Sequence, residues 1–313
     1  MAFAVALVVG LIATPIAIRV AVRLDVVDRP GPLKPQAAAV PYLGGVAVFV
    51  ALAGPIAVDR PSLLIPLALA LVVGLVDDIS PRSVGFRLVC QLAVAVTAAA
   101  VTPAPGALGV VATGALTLAL LNAVNLLDGL DGVAAGCGLV SALGIAVLDT
   151  GARTPALALA GGLAGFLAFN RPPARIYLGD AGAYLTGAGL AILAMLMVDG
   201  RDDVSAWVAV PLLVAVPVTD TALAIVRRLR SRDSLTAGDR SHVYDQLRAR
   251  HHRTTPQAAL LCVAAQVVLT AAGLLVAGLG SAAAIGLALG TAVLLALGLV
   301  LGGFVSAPAS GRA

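Results

Sequence analysis

The sequence predicts an all-α fold, a single polytopic bundle of transmembrane helices that occupies residues 1–313. Hydrophobic residues make up 60% of the chain and charged residues only 12%, whereas soluble domains carry about 25% charged residues. The mean hydropathy is +1.03. The apolar residues are also gathered into runs close to the ~20 residues that a helix needs to cross a bilayer. These three observations exclude a soluble globular protein.

Eleven apolar runs are candidate spans, and we expect ten or eleven of them to cross the membrane. Short polar segments separate them, and the Gly and Pro residues inside them are tolerated in membrane helices. The first run begins at Met1 and lacks an obvious small-residue cleavage pattern, so we expect it to be a retained span and not a signal peptide. The runs cover residues 2–22, 41–58, 61–76, 86–102, 107–125, 132–149, 154–170, 182–198, 205–226, 256–278 and 281–304.

The basic residues predict an orientation. If the N-terminus lies outside, the cytoplasmic loops hold 15 Arg and Lys residues and the opposite loops hold three. Cytoplasmic loops of membrane proteins carry this kind of excess. We therefore expect the N-terminus outside and the C-terminus in the cytoplasm. The polar loops expected on the cytoplasmic face lie at about residues 23–41, 77–86, 122–133, 170–182 and 227–255.

The candidate chemistry lies at the ends of the apolar runs, where a carboxylate is costly unless it has a partner or a function. Asp77 and Asp78 close the third run. Adjacent carboxylates repel each other and raise each other's proton affinity, and a divalent cation or cationic side chains relieve that repulsion. The pair predicts a functional site, although a helix end that reaches water would also accommodate it.

The segment Asn122–Gly132 places four polar side chains in an otherwise apolar stretch. Asn122, Asn125 and Asp128 are three residues apart, so on a helix they lie on roughly one face. Two glycines then permit a tight turn, and Asp131 adds a second carboxylate. Two amides and two carboxylates at one helix end predict a site for phosphates, hydroxyls and Mg²⁺.

Two further segments complete the set. Asp180 lies in a Gly-flanked turn before the eighth run, where it could bind a hard cation, although turns favour the same residues for their own sake. The Arg-rich loop 227–255 could attract anionic lipid heads and form a short amphipathic helix at the membrane surface. Within it, Arg240 and His242 are candidate substrate contacts, because both side chains can donate to phosphates.

Together these segments resemble the polyprenyl-phosphate N-acetylhexosamine-1-phosphate transferases of glycosyl transferase family 4, and most closely the branch that uses UDP-N-acetylglucosamine. The resemblance extends from about residue 25 to residue 250, and Asn122–Gly132 is its most specific part. The chain departs from the family in two places. It lacks the family's Lys just before a Pro-x-x-Gly-Gly stretch, with Lys34 its only lysine, and a His-rich run is reduced to His242–Asp245.

The resemblance implies a phosphoryl transfer. An oxygen of polyprenyl phosphate attacks the β-phosphorus of a UDP-sugar, UMP leaves, and the polyprenyl-diphosphate sugar that forms initiates a cell-envelope glycan. Mg²⁺ or Mn²⁺ is the implied cofactor. The implied catalytic residues are Asp77, Asp78 and Asp128, the implied metal ligand is Asp180, and the implied substrate-binding residues are Asn122, Asn125, Asp131, Arg240 and His242.

The same resemblance implies the partners and the location. The donor is a UDP-sugar, with N-acetylglucosamine the expected sugar, and the acceptor is undecaprenyl or decaprenyl phosphate. Membrane lipid surrounds the protein, a homodimer is compatible with the family, and nucleic acid is not a partner. We expect a multi-pass protein of the bacterial plasma membrane with its active site on the cytoplasmic face.

Two alternatives stay open at the level of sequence. The related translocase of peptidoglycan synthesis takes UDP-MurNAc-pentapeptide as its donor. A secondary transporter would have a similar number of spans with polar residues in broken helices. A transporter should place its ionisable residues near the bilayer midplane, whereas these residues cluster at one end of the predicted helices.

Overall fold

The computed structural model describes residues 1–30, 38–103, 106–149, 151–199, 201, 203–231 and 241–306. These residues form helices apart from loops and one antiparallel ribbon of two strands, β1 (Val27–Asp28) and β2 (Val40–Pro41), so the all-α fold class is confirmed. The helices are α1 Ala2–Arg23, α2 Gly44–Asp59, α3 Leu64–Ile79, α4 Val84–Val101, α5 Gly106–Leu127, α6 Val133–Leu148, α7 Arg153–Asn170, α8 Gly179–Val198, α9 Val204–Leu213, α10 Ala215–Ser231, α11 Val243–Ala249, α12 Thr255–Ala277 and α13 Ser281–Leu301, with a 3₁₀ turn at Pro61–Leu63.

The helices make the chain a multi-pass membrane protein. Within the described residues, seven helices are long and apolar enough to cross a bilayer, or eight if the bent pair α9 and α10 counts as one span. Helices α2 and α6 are apolar but have 16 residues each. Each of the eleven predicted runs contains a helix or, for the ninth, the α9–α10 pair. The count of eleven spans and the orientation of the termini remain predictions.

Helix α8 is the centre of the bundle. The apolar stretch of α8 is buried throughout, and the helix packs against α2, α3, α5 and α6. Close backbone approach at its N-terminal end requires glycine on both neighbours: a Cβ on Gly45 of α2 would lie 2.3 Å from the Gly182 nitrogen, and a Cβ on Gly74 of α3 would lie 2.3 Å from the Asp180 carbonyl oxygen. Small residues at helix contacts are the usual means of tight packing in membranes.

The α9–α10 pair is bent by 70°. A break in a helix leaves backbone groups without their usual partners, and in a bilayer these must be satisfied by the protein. Gln266 of α12 does this with one side chain. It accepts a hydrogen bond from the Val216 nitrogen at 3.0 Å and donates to the Leu213 carbonyl at 3.0 Å. The bend directs α10 toward the end of the bundle where the polar loops meet, and Asp220 lies buried on that helix.

Several polar segments meet at the N-terminal end of α8. The chain before α2 and the chain before α8 are joined by backbone hydrogen bonds, from the Tyr177 nitrogen to the Pro41 carbonyl at 2.8 Å and from the Gly44 nitrogen to the Tyr177 carbonyl at 3.1 Å. Strand β2 in turn pairs with β1, which ends at Asp28. The C-terminal ends of α3 and α5 reach the same place.

Candidate active site

A cavity of about 560 Å³ opens where these segments meet. Its lining is dominated by charge, with seven Asp and three Arg side chains, and also includes amide and phenol groups. Asp28, Asp77, Asp78, Asp128, Asp131, Asp180 and Asp245 supply the carboxylates, Arg82, Arg87 and Arg248 the guanidinium groups, and Asn125, Asn170, Tyr42 and Tyr177 the other polar groups. Because carboxylates outnumber guanidinium groups, a phosphate-bearing ligand would need additional positive charge in order to bind in this cavity.

The N-terminal end of α8 holds two of these carboxylates. Asp78 accepts hydrogen bonds from the Asp180 nitrogen at 2.8 Å and from the Ala181 nitrogen at 3.0 Å. Asp128 accepts from the Gly179 nitrogen. The first N–H groups of a helix lack partners within the helix and lie at the positive end of its dipole, so carboxylates are stabilised there. The same bonds fix the backbone from which Asp180 projects.

Asp128 lies just beyond the end of α5, and its surroundings disfavour the ionised form. Burial raises the pKa of the Asp128 carboxyl well above its usual value, and the nearby charges of Asp180 and Asp78 add to the rise, while the hydrogen bond from Gly179 opposes it. A cation in the cavity would favour ionisation of this carboxyl.

Asp77 and Asp180 form the second part of the site. Their carboxyl groups lie within hydrogen-bonding reach of each other, and the Asn125 amide donates to the Asp180 carboxylate at 2.5 Å. Asp77 also accepts from the Arg82 backbone nitrogen at 2.8 Å and pairs with the Arg87 guanidinium at 3.3 Å. Adjacent residues on α3 thus have different partners: Asp77 turns toward Arg87 and Asp180, and Asp78 holds the helix end.

Asn122 lies outside the lining of the cavity. Its amide nitrogen donates to the Gln91 oxygen at 2.9 Å and to the Leu118 carbonyl at 2.8 Å, and Gln91 donates back at 3.3 Å. Three residues are 4.5 Å along a helix axis, so Asn122 lies nearly one turn farther from the cavity than Asn125. Its predicted contact with substrate stays a prediction, and the structure gives it a partner on α4 instead.

Asp131 connects the α5–α6 turn to the chain before α8. It accepts from the Ala174 nitrogen at 2.9 Å. Beside it, Asn170 accepts from the Gly132 nitrogen and donates to the Ile176 carbonyl, both at 2.9 Å. Gly132 has φ +78°, a conformation that glycine adopts without strain. These bonds hold the segments that carry Asp128 and Asp180 in a fixed relation.

His242 is buried behind the cavity. Its Nδ1 lies 2.6 Å from the Asp220 carboxylate, whose other oxygen accepts from the Val243 nitrogen at 2.7 Å. The imidazole stacks on Tyr244, and the Tyr244 hydroxyl donates to the Leu126 carbonyl at 3.2 Å. His242 and Tyr244 therefore support the α5–α6 turn, whereas Asp245 on the same short helix lines the cavity. Arg240 and Lys34 lie outside the described residues.

Sequence reasoning missed several lining residues. Asp28 is 8% exposed and accepts from the Tyr42 hydroxyl. Burial and the Asp28 charge raise the pKa of Tyr42 well above its usual value, and burial, with the Asp131 charge, raises the pKa of Tyr177 to about 12. Both phenols are therefore neutral hydrogen-bond donors at pH 7. All three residues lie in strings that carry the family resemblance, Asp28–Pro30, Pro41–Gly45 and Arg175–Gly182, and membership of those strings is the signal that could have found them.

A divalent cation fits the donor set, although the described residues contain no group of three His, Cys, Asp or Glu side chains arranged as metal ligands. Mg²⁺ is usually held by one or two carboxylates together with waters and substrate phosphates. Asp77 and Asp180 supply two carboxyl groups that lie within hydrogen-bonding reach of each other. Two carboxylates would supply part of a magnesium shell and leave the rest to ligand and solvent.

The chain is similar in sequence to a family of known transferases. Residues 61–198, which include α3 to α8, match the model of glycosyl transferase family 4. The chain is 30% identical over 274 residues to the probable undecaprenyl-phosphate N-acetylglucosaminyl 1-phosphate transferase of Bacillus subtilis, with 79% of this chain and 76% of that protein covered. It is 30% identical over 284 residues to the decaprenyl-phosphate N-acetylglucosaminephosphotransferase of Mycobacterium tuberculosis, with 72% and 69% covered.

A shorter similarity connects the chain to another group. The phospho-N-acetylmuramoyl-pentapeptide-transferase of Moorella thermoacetica is 50% identical, but over 86 residues that make up 26% of this chain and 27% of that protein.

Proposed function

This chain belongs to glycosyl transferase family 4, among its polyprenyl-phosphate N-acetylglucosamine-1-phosphate transferases, and from that premise we propose the reaction of its cavity. It transfers N-acetylglucosamine 1-phosphate from a UDP-sugar to polyprenyl phosphate. A lipid phosphate oxygen bonds to the β-phosphorus, the bond from that phosphorus to the bridging oxygen breaks, and UMP leaves. The observation that carries the proposal is the cluster of carboxylates and amides around the N-terminal end of α8.

Two anions must meet for this reaction, so neutralisation and positioning matter more than covalent chemistry by the protein. Mg²⁺ or Mn²⁺, when bound, would neutralise the donor pyrophosphate and stabilise the charge that develops on UMP. Asp180 and Asp77 are the residues that would hold it. Asn125, which donates to Asp180, would orient that carboxylate.

The acceptor side of the site is assigned to Asp77 and Arg87, at the adjoining ends of α3 and α4. Arg87 is 36% exposed and paired with Asp77, so it can turn toward an arriving phosphate at little cost. A general base is not required, since a phosphate monoester with a second pKa near 6 is already largely dianionic at pH 7.

The donor side is assigned to Asp128, Asp131 and the phenols. Asp128 and Asp131 offer acceptors for sugar hydroxyls or a uracil N–H. Tyr177 and Tyr42 lie with ring centroids 6.3 Å apart in the lining and offer an aromatic face for a base or a sugar ring. Asp245 and Arg248 of α11 complete the wall. A carboxylate at Asp245 would disfavour donors that carry their own carboxylates.

We place the active site on the cytoplasmic face of a bacterial plasma membrane, with eleven spans and the N-terminus outside. Two facts support this placement. The segments that precede α2, α4, α6 and α8, together with helix α11, all line one cavity, so the helices between them go out and return in pairs. The polar segments 23–41, 77–86, 170–182 and 227–255, which are expected on this face, also carry 13 of the 19 Arg residues.

The test uses membranes from a strain that overproduces the chain, supplied with polyprenyl phosphate and radiolabelled donors. Chromatography of the lipid fraction should show a labelled product with UDP-N-acetylglucosamine, and release of UMP in equal amount. UDP-MurNAc-pentapeptide should give none. A product from the peptide donor alone would identify the chain as a peptidoglycan translocase, and uptake of a solute into vesicles without any lipid product would indicate a transporter.

A further inference from the structure

The turn Gly302–Ser306, which follows α13, folds back onto residues 246–251 of the loop between α10 and α12. The backbone carbonyls of the turn accept hydrogen bonds from side chains of that loop. Gln246 donates to the Phe304 carbonyl at 3.1 Å, His251 Nε2 lies 3.1 Å from the Gly302 carbonyl, and Arg250 donates to the Gly303 carbonyl. Arg227 at the end of α10 also donates to Phe304, at 3.3 Å.

These contacts use a feature that every helix has. The last carbonyls of a helix and the turn after it lack intrahelical partners and carry partial negative charge, so cationic and N–H groups are favoured there. The His251 ring also stacks on Phe304, with ring centroids 5.1 Å apart. Helix α13 is otherwise exposed on most of its surface. Only 6% of the residues in its apolar stretch are buried, and it packs against α9 and α12. The turn is therefore a specific attachment at the end of a peripheral helix.

The attached loop is part of the cavity wall. Helix α11 carries Asp245 and Arg248, which line the cavity, and Gln246, whose side chain is fully buried, lies between them. Seven residues make a helix about 10 Å long, too short to be stable without outside support. Asp220 supports the N-terminal end of α11 through His242 and the Val243 nitrogen. The Gly302–Ser306 turn supports the other end.

We propose that the Gly302–Ser306 turn is a positioning element for α11, and that Gln246, Arg250 and His251 are positioning residues for the donor side of the site. None of the three contributes to the cavity lining. They act by fixing the positions of Asp245 and Arg248 in the cavity wall. The identity of the bound donor rests on the proposed function, whereas the attachment itself does not.

The first experiment compares two truncations of the full chain. A chain that ends at Leu301 loses the turn, and a chain that ends at Ser306 keeps it. We expect the shorter chain to show a KM for UDP-N-acetylglucosamine raised about tenfold, which corresponds to about 1.4 kcal/mol of lost donor binding. The KM for polyprenyl phosphate should change by less than about twofold. The chain that ends at Ser306 should behave as the intact protein.

Point variants keep the proposal testable if the shorter chain is poorly produced. The double variant Arg250→Ala, His251→Ala should reproduce the rise in donor KM. Arg250→Lys retains a donor for the Gly303 carbonyl and should restore most of the loss when His251 is present. Arg253→Ala, which removes an exposed charge of the same loop, is the matched control and should be neutral.

A second readout is independent of activity. Hydrogen–deuterium exchange of the segment 243–250 should become at least about tenfold faster in the shorter chain and in the double variant, because α11 loses the hydrogen bonds that hold its C-terminal end. Exchange in α8 should not change. If the intact protein proves inactive but the segment responds in this way, the attachment stands and the proposed function fails. Unchanged exchange in 243–250, or an equal rise in both KM values, would overturn the proposal.

Discussion

Asp77 and Asp78 are neighbours in the chain, but their bonds give them different tasks. Both oxygens of Asp78 accept from N–H groups of α8, at 2.8 and 3.0 Å. Asp77 meets a backbone N–H and the Arg87 guanidinium, and faces Asp180. The family resemblance implied that both are catalytic residues. The geometry assigns the reacting side of the cavity to Asp77 and the support of Asp180 to Asp78.

The variants Asp78→Asn and Asp77→Asn test this division. An Asn at 78 keeps one acceptor but turns an NH₂ group toward the second N–H of α8, so we expect a loss of about 1–2 kcal/mol in stability, typical of a lost helix cap, together with low turnover. An Asn at 77 keeps an acceptor for the Arg82 nitrogen and loses a partly exposed ion pair, so stability should change by less than about 1 kcal/mol while turnover still falls.

Melting temperature in detergent and turnover at saturating substrates are the two measurements for this pair. Equal thermal destabilisation of both variants would contradict the division of roles.

Asp180 is the residue that we expect to bind the metal ion. Activity should require Mg²⁺ or Mn²⁺, and Asp180→Asn should lower turnover by roughly 100-fold or more, because the amide is a neutral and weaker ligand. The Asn variant should still insert and melt near the intact protein, since the backbone of α8 is held by Asp78 and Asp128. Turnover is assayed in excess chelator and after metal is restored. Full activity in chelator would refute the cofactor.

At the scale of elements, the site depends on how closely α2 and α3 approach α8. Gly45 and Gly74 leave room for backbone contact at the end of α8 that carries Asp180. Helix α2 offers a matched pair of glycines. A Cβ on Gly45 would lie 2.3 Å from the Gly182 nitrogen, whereas a Cβ on Gly54 would meet nothing within 4 Å.

Gly45→Ala should therefore separate α2 from α8, cost about 1–3 kcal/mol in stability, and lower turnover by displacing Asp180. Gly54→Ala should leave both unchanged, or raise stability slightly through helix propensity. Thermal unfolding in detergent and the transfer assay decide between them. Equal behaviour of the two variants would mean that the close contact at Gly45 does not position the site.

The sequence could predict those parts of the site whose residues lie close together along one helix or turn. Asn125, Asp128 and Asp131 form one local cluster at a helix end, and the structure brings them to the cavity. His242 was predicted to contact substrate, but its partner Asp220 lies 22 residues away on α10. No local pattern reveals such a pairing. Arg87 likewise joins the site because α4 packs beside α3, a tertiary contact that spacing does not encode.

At the scale of the whole molecule, composition was sufficient to predict a helical membrane protein, and runs of apolar residues located nearly every helix. Counting spans was harder. Helices α2 and α6 have 16 residues each, below the ~17–25 that usually cross a bilayer, and α9–α10 is bent by 70°. Their role is set by the neighbours that surround them in the bundle, and that information is not local to the runs.

The orientation of the chain in the membrane determines on which side each loop residue is exposed to water. If all eleven runs span with the N-terminus outside, Asp59 at the end of α2 and Asp199 after α8 lie outside, whereas Arg171 and Arg253 lie in the cytoplasm. All four side chains are exposed. Replaced singly by Cys in a chain whose three native cysteines are Ala, they serve as reporters.

A membrane-impermeant maleimide applied to right-side-out vesicles should label the Cys at 59 and at 199 and spare those at 171 and 253, and inverted vesicles should give the opposite pattern. Retained transferase activity is the control for each reporter. The position at 59 is the most informative, because a 16-residue helix is about 24 Å long, and a helix α2 that failed to cross would leave Asp59 on the same side as Tyr42 and the cavity. Labelling at 59 in inverted vesicles would therefore reduce the number of spans, and labelling at 171 in right-side-out vesicles would reverse the orientation and move the active site to the outer face.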